Sequence, residues 1–422
     1  MLAPKRVFAK IKRVLKIAGP GLITGASDDD PSGIATYSQA GAQFGLSTLW
    51  TALLTFPLMA AIQEMCARIG LVTSQGLTVT LKQHYSKTLL YTLLLFSFPA
   101  ITLNIGADIE GMGAVSHMMI PMVPSWLFCV VITATLLLII IKFSYQRIAM
   151  ILKWLCISLL LYTIVPFMVK QNWKMIFTHT LIPTIQFNKD FFSIIVALLG
   201  TTISPYLFFW QATMEAEDMV HRKKTIIVNK RILDNMKTDV NTGMFLSNMV
   251  MFFIILTTGS ILYSSGIRNI DTVDQAAKAL QPLTGKFTYL AFSIGVLGTG
   301  LLAIPVLAGS QSYMLAETFG WEAGLDKKFP EAKPFYISII ISLVVGLSLD
   351  FLRISPIKAL LYTAISYGLT APVMIAIVLH IGNNKKIMKT HANSALSNIL
   401  GSITLLIMTA AAVALIYFLF QP

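Results

Sequence analysis

Charge is scarce in this chain. Only 12% of its 422 residues are Asp, Glu, Lys or Arg, against about 25% in soluble domains. With 55% hydrophobic residues, no soluble fold could hide the apolar surface, so a water-soluble enzyme or binding module is excluded. Cysteine is equally sparse. Cys66, Cys129 and Cys156 fall in apolar stretches without CxxC spacing, which excludes a disulfide framework and a zinc site and leaves packing. Histidine is rare where it would matter: His84, His179, His221, His380 and His391 fall in loops or at span ends, and His117 near the outer end of the third span. A proton relay through histidines at mid-membrane depth is therefore not expected. There is no nucleophile elbow, P-loop or HExxH run, so neither an enzyme nor a resident cofactor is expected.

What is present is length and apolarity in the right units. A bilayer core needs roughly 20 apolar residues per helix, and about eleven such stretches follow one another here, joined by short polar loops. One all-α transmembrane domain accounts for residues 1–422: a basic segment 1–16, a first repeat 17–169, a second repeat 191–381 and an additional helix 397–420. The net charge of +13 does not point to nucleic acid, because it is placed by topology. Lys5 to Lys16, Lys82 with Lys87, Lys142 with Arg147, Arg222 to Lys237 and Lys385 to Lys389 all lie an even number of spans from the N-terminus. The positive-inside rule then puts the N-terminus in the cytoplasm and Gln421 and Pro422 outside. The basic start lacks an apolar core and a cleavage site, so no cleaved leader is expected. A monomer in the cell membrane, with lipid as its solvent, is the expected state.

Two spans are peculiar. The first, near Ile17 to Phe44, contains Asp28, Asp29 and Asp30 followed by Pro31, Ser32 and Gly33; the sixth, near Phe191 to Asp218, contains Gly200 to Ser204 followed by Pro205. An Asp or Ser before a Pro suits a new helix start, with Asp30 or Ser204 as N-cap and the proline at the first helical position. Both spans therefore read as half-helices joined by unwound backbone, which membranes tolerate only in protein interiors or cavities. The breaks fall at corresponding places in two five-span halves, the pattern of a binding site between inverted repeats.

Asp30 is the first candidate ligand, since a carboxylate at bilayer depth is costly unless it is paired, wetted or bound to an ion. Unwinding before Ser204 frees the Thr201 and Thr202 carbonyls, and the Thr202 and Ser204 hydroxyls add oxygen. Such hard donors suit magnesium, calcium or manganese. The competing reading is that these hydroxyls only satisfy the broken backbone. Three adjacent carboxylates cannot all face one ion, so Asp28 or Asp29 is expected at an aqueous vestibule or a basic partner. Asp108 and Glu110, two apart on the third span, point to different sides. Glu64 and Arg68 are spaced as a helical ion pair beside Gln63, in a structural or gating role. Glu215 to Asp218 read as a solvated helix end.

The stretch GPGLITGASDDDPSGIATYSQAGAQFG, Gly19 to Gly45, resembles the Nramp family of divalent metal transporters, which have the LeuT-like fold. The family's Asp-Pro-Gly-Asn at the first break corresponds to Asp30, Pro31, Ser32 and Gly33, and its Met-Pro-His in the sixth span to Ser204, Pro205 and Tyr206. The Asp is kept; the ligating Asn, Met and His are not. These departures resemble the Nramp-related magnesium transporters: Ser204 replaces a soft thioether by hard oxygen, and Gly33 widens the site for an ion that keeps its waters. The resemblance further implies a carbonyl ligand at Thr201 and a tenth-span polar ligand near Thr370. Of the family's relay groups, Tyr206 and Gln211 stand at histidine positions and Ala107 at an acidic one, while Glu110 is retained. Uptake of Mg2+ and Mn2+ by alternating access without proton coupling is the expectation. The alternatives are a proton-coupled Mn2+ or Fe2+ importer and an amino-acid or anion symporter, the last disfavoured because Asp30 would repel an anion.

Overall fold

The computed structural model describes residues 19–144, 161–168, 171–221, 228–280, 288–348 and 355–420. The basic N-terminal segment, most of the expected fifth span with Cys156, part of the 222–237 basic cluster, and Gln421 with Pro422 lie outside the described residues.

The described residues are helical throughout, with no strand among them. The first span is two helices, α1 (Pro20–Asp28) and α2 (Pro31–Phe44). Span two is α3 (Leu49–Thr73), followed by the short α4 (Leu77–His84); spans three and four are α5 (Lys87–Met119) and α6 (Ser125–Lys142). A short connecting helix, α7 (Trp173–Leu181), leads to the sixth span, which is again two helices, α8 (Lys189–Thr202) and α9 (Pro205–His221). Then come α10 (Lys230–Thr258), α11 (Thr288–Phe319), α12 (Lys333–Ser348), α13 (Pro356–Asn383) and α14 (Ala395–Phe420). Eight of these spans, counting α8 with α9 as one, are long and apolar enough to cross a bilayer. The divided first span and the sixteen-residue α12 add to them.

α10 starts well before its apolar run. Asn229 caps a helix that already runs from Lys230, its side chain accepting from the Ile232 N–H. Charged residues in that first part, Lys230, Arg231, Asp234 and Lys237, hide the helix from hydropathy but not from capping chemistry.

The bundle buries its broken spans and turns an apolar surface outward. The broken sixth span is almost wholly buried, whereas α6 and α14 expose most of their length, with Leu138, Leu406 and Phe420 on the outer surface. That inversion of the soluble pattern is what lipid demands. Glycines allow the closest contacts. A Cβ on Gly25 of α1 would run into the Gly243 backbone of α10, and one on Gly21 into Val240, so the two helices meet backbone to backbone, as small residues permit.

The same face of α10 holds α1 at both ends. Gly19 offers no side-chain cap; instead Asp239 accepts from the Gly19 N–H at 2.9 Å and the Gly21 N–H at 2.7 Å. Two turns further along, Ser247 donates to Asp28 Oδ2 at 2.7 Å. Asp239, Gly243 and Ser247 are spaced i, i+4, i+8, one stripe along α10.

Candidate functional site at the two helix breaks

Asp30 is both N-cap and centre. Its Oδ1 accepts from the Gly33 N–H and from Ser32 Oγ, each at 2.7 Å. Its Oδ2 accepts from Asn104 Nδ2 of α5 at 3.0 Å, and Thr363 of α13 donates to Asn104 Oδ1 at 2.9 Å. Three elements thus fix one carboxylate. All its donors are neutral, so its charge is left to act on whatever occupies the break.

The second break is built from neutral oxygen. Ser204 Oγ donates to the Thr201 carbonyl at 2.7 Å and the Gly200 carbonyl at 3.0 Å, and Thr202 Oγ1 to the Leu198 carbonyl at 2.7 Å. These hydroxyl protons serve their own helix; the oxygens keep lone pairs. The breaks touch at two points. Thr201 Oγ1 lies 3.5 Å from Ser32 Oγ, and Tyr206 Oη donates to the Ser27 carbonyl, at the end of α1, at 3.3 Å. Tyr206 also packs on Tyr367 of α13, ring centroids 5.6 Å apart.

Gly33 sits against this junction with less room than its size implies. A Cβ there would meet the Asp28 carbonyl at 3.3 Å and Thr201 Oγ1 and Tyr37 Cε2 at 3.4 Å. The space left by the missing side chain is walled, not open. Thr370 is half-buried and donates within α13 to the Ser366 and Tyr367 carbonyls at 3.0 and 3.2 Å. The tenth-span side chain that reaches the Asp30 network is Thr363, two turns earlier.

Asp28 and Asp29 differ from expectation. Both are buried, 1% and 4% exposed, and they share the Ser247 hydroxyl, which lies 3.2 Å from Asp29 Oδ1. Both lie under α10, which covers the end of α1, instead of at an aqueous vestibule.

The remaining candidates divide by place. Glu110 is buried on α5. Gln211 is a bridge: its Oε1 accepts from Thr24 of α1 at 2.6 Å and its Nε2 donates to Glu215 at 3.0 Å, which makes Glu215 a buried residue and not the solvated helix end expected of it. Arg68 and Glu64 form the ion pair read from their spacing. Ser397 Oγ donates to Glu64 Oε2 at 3.0 Å, so the pair ties α3 to α14, apart from the breaks. Sequence reasoning missed Asn104, Thr363, Ser247 and Asp239; a lone Asn one turn before Asp108 was the available signal. Among the described residues no three His, Cys, Asp or Glu side chains converge as a metal-ligating group, so an ion here would rely on carbonyl and hydroxyl oxygen.

A bundle of membrane-length helices, two of them broken and joined through a buried carboxylate and neutral oxygens, defines a secondary-transporter architecture of the LeuT-like class. Residues 21–418 match the model of the Nramp family, described as natural resistance-associated macrophage protein-like, and the chain belongs to that family. A "divalent metal cation transporter MntH" of Caldanaerobacter subterraneus is 25% identical over 401 residues, covering 93% of this chain and 90% of that one. Its namesake in Clostridium acetobutylicum is 24% identical over 98% of this chain and 93% of its own length. Among solved structures, a manganese transporter of Eremococcus coleocola superposes with a TM-score of 0.73 at 16% identity, covering 96% of this chain and 87% of that one. Mhp1, of the nucleobase-cation-symport-1 family, follows the same fold at 0.56 and 14%, covering 95% and 92%.

Proposed function

We propose that this protein imports divalent metal ions, Mg2+ foremost and Mn2+ with it, as partly hydrated ions moved by alternating access and without an obligatory proton. The observation that carries the reading is the donor set: one oriented carboxylate, Asp30, at the first break and the carbonyl and hydroxyl oxygens of Thr201, Thr202 and Ser204 at the second, the two breaks meeting at Ser32 and Thr201, with no Met or His among these residues. Hard oxygen with few charged ligands suits a small ion that dehydrates reluctantly. Thr370 is a weaker candidate, because Thr363 and not Thr370 reaches Asn104, the residue that holds Asp30. The N-terminus is read as cytoplasmic, the C-terminus as external, and the working unit as a monomer in the cell membrane.

Energetics do not require coupling. A membrane potential is worth about 2.3 kcal/mol per charge per 100 mV, hence roughly 4.6 kcal/mol for a divalent ion. At about 1.4 kcal/mol per tenfold, that sustains an inward gradient above a thousandfold. Tyr206 and Gln211 do not titrate near neutrality as histidine does. The second reading, a proton-coupled Mn2+ importer, is favoured by the relatives, which are divalent metal cation and manganese transporters, and by the buried Glu110. Proteoliposomes with an imposed potential and equal pH on both sides separate the two. Uptake of Mg2+ at constant lumenal pH is the expected result; acidification that scales with flux and vanishes in Glu110→Gln would establish coupling instead.

A further inference from the structure

Asp108 is the carboxylate that the local structure leaves without a use. It is fully buried on α5, and neither of its oxygens accepts a hydrogen bond. Asp30 has three donors, Asp239 two backbone N–H groups, and Glu64 an arginine and a serine. A bare buried carboxylate is among the costliest groups a protein can hold while ionised, and it keeps that charge only where something positive visits it.

Its position says what that visitor is near. Asn104, Asp108 and Gly111 follow at i, i+4, i+7 and form one face of α5. Asn104 binds Asp30, and a Cβ on Gly111 would contact Pro31 at 3.8 Å, so this face lies along the start of α2. Between those two contacts the Asp108 carboxylate faces the Ser32 N–H without closing a hydrogen bond of normal geometry, within electrostatic reach of Asp30, Tyr206 and Tyr367.

We propose that Asp108 is the second carboxylate of the transported ion's shell and the residue that fits the site to a double charge. The inference rests on the reading that the ion sits at Asp30. Asp28 and Asp29 are held on the α10 side by Ser247; on the α5 side Asp30 and Asp108 together bring two negative charges, which match a divalent ion in a medium of low dielectric. A monovalent ion would leave a net negative charge there. Selection between the two classes thus follows from carboxylate count, and selection among divalent ions from the neutral oxygens. Mg2+ usually retains water, and the free Asp108 oxygens are acceptors either for the ion itself or for water on it.

The competing role is structural, an anion placed at the positive N-terminal end of α2. Thermal unfolding of the full-length protein in detergent, with and without Mg2+, distinguishes them alongside Mg2+ flux in proteoliposomes. Expected for Asp108→Asn is an unchanged or higher melting temperature in metal-free buffer, loss of most of the Mg2+-induced rise, and a half-saturating Mg2+ concentration about tenfold higher or more. A lower metal-free melting temperature with the Mg2+ response and half-saturation unchanged would overturn the proposal in favour of the structural role. Asp108→Glu, which keeps the charge, is the second arm should the amide variant not fold: a shifted Mg2+ half-saturation supports the assignment, an unchanged one counts against it. Asp30→Ala is the control for the underlying reading. If it abolishes the Mg2+ response while Asp108→Asn leaves it intact, only the Asp108 assignment fails; if Asp30→Ala also responds as wild type, the ion is elsewhere and both fall.

Discussion

The two breaks are made by the same device and loaded differently. Each opens with a helix ending three residues before a proline, and each restarts with that proline at the first helical position. In the first span the restart is capped by a charged side chain, which reaches across to α5. In the sixth span the side chain before the proline turns back onto its own preceding turn. One break therefore supplies charge and a fixed direction; the other supplies neutral oxygen and shape. Chain breaking and ion choice are separable properties, the first set by proline and the second by the residue in front of it.

The largest expected effect comes from removing the charge. Asp30→Ala should lower divalent uptake by about a hundredfold or more, since a direct ligand counts for at least as much as the outer partners whose loss costs 10–100-fold. The loss of the cap should cost about 1 kcal/mol, too little to unfold the bundle. Normal flux in a well-folded variant would sink the assignment.

An intermediate effect is expected from making both breaks softer at once. Gly33→Asn with Ser204→Met should move the Mn2+ to Mg2+ flux ratio by roughly tenfold, about 1.4 kcal/mol of differential binding. The two positions share the Thr201 neighbourhood, so the double variant should exceed the sum of the singles. Because a Cβ at Gly33 already meets three atoms at 3.3 to 3.4 Å, Gly33→Asn alone should also lower thermal stability by about 1–3 kcal/mol. An unchanged ion ranking in all three variants would show that the breaks do not set selectivity.

The smallest effect tests the neutral side. Ser204→Ala removes a hydroxyl whose proton is spent on backbone carbonyls and whose oxygen belongs to the neutral donor set, so stability should fall by about 1 kcal/mol and Mg2+ uptake in proteoliposomes should weaken by about threefold, far less than in Asp30→Ala. A collapse of flux comparable to that of Asp30→Ala would mean that the neutral oxygen counts for as much as the charge and that the contrast between the breaks is wrong.

Much of the fold was legible because its signals are local. Proline after Asp or Ser marks a break, apolar runs mark spans, and a four-residue spacing marks the Glu64–Arg68 pair. What was not legible depends on which helix lies beside which. Nothing in the first span announces that Ser247 will cover Asp28 and Asp29, because the covering helix is more than two hundred residues away. Asn104 reads as an ordinary polar residue in an apolar run until α5 is laid against α2. Thr363 and Thr370 lie on one helix with equal claims by sequence; only the position of Asn104 separates them. The sequence also undervalued Gly33, whose missing side chain leaves room only as far as the neighbouring carbonyl allows.

The stripe on α10 has a mechanical meaning. Asp239, Gly243 and Ser247 hold the start, middle and end of α1 along a single line, and the unwound Asp29 is the joint beyond them. Nine residues at about 1.5 Å each make α1 a lever of roughly 13 Å. A swing of some 20° about Asp29 would carry its free end through roughly 5 Å. Such a swing would unseat two N–H bonds and the glycine contact together, since all three lie on the same seam.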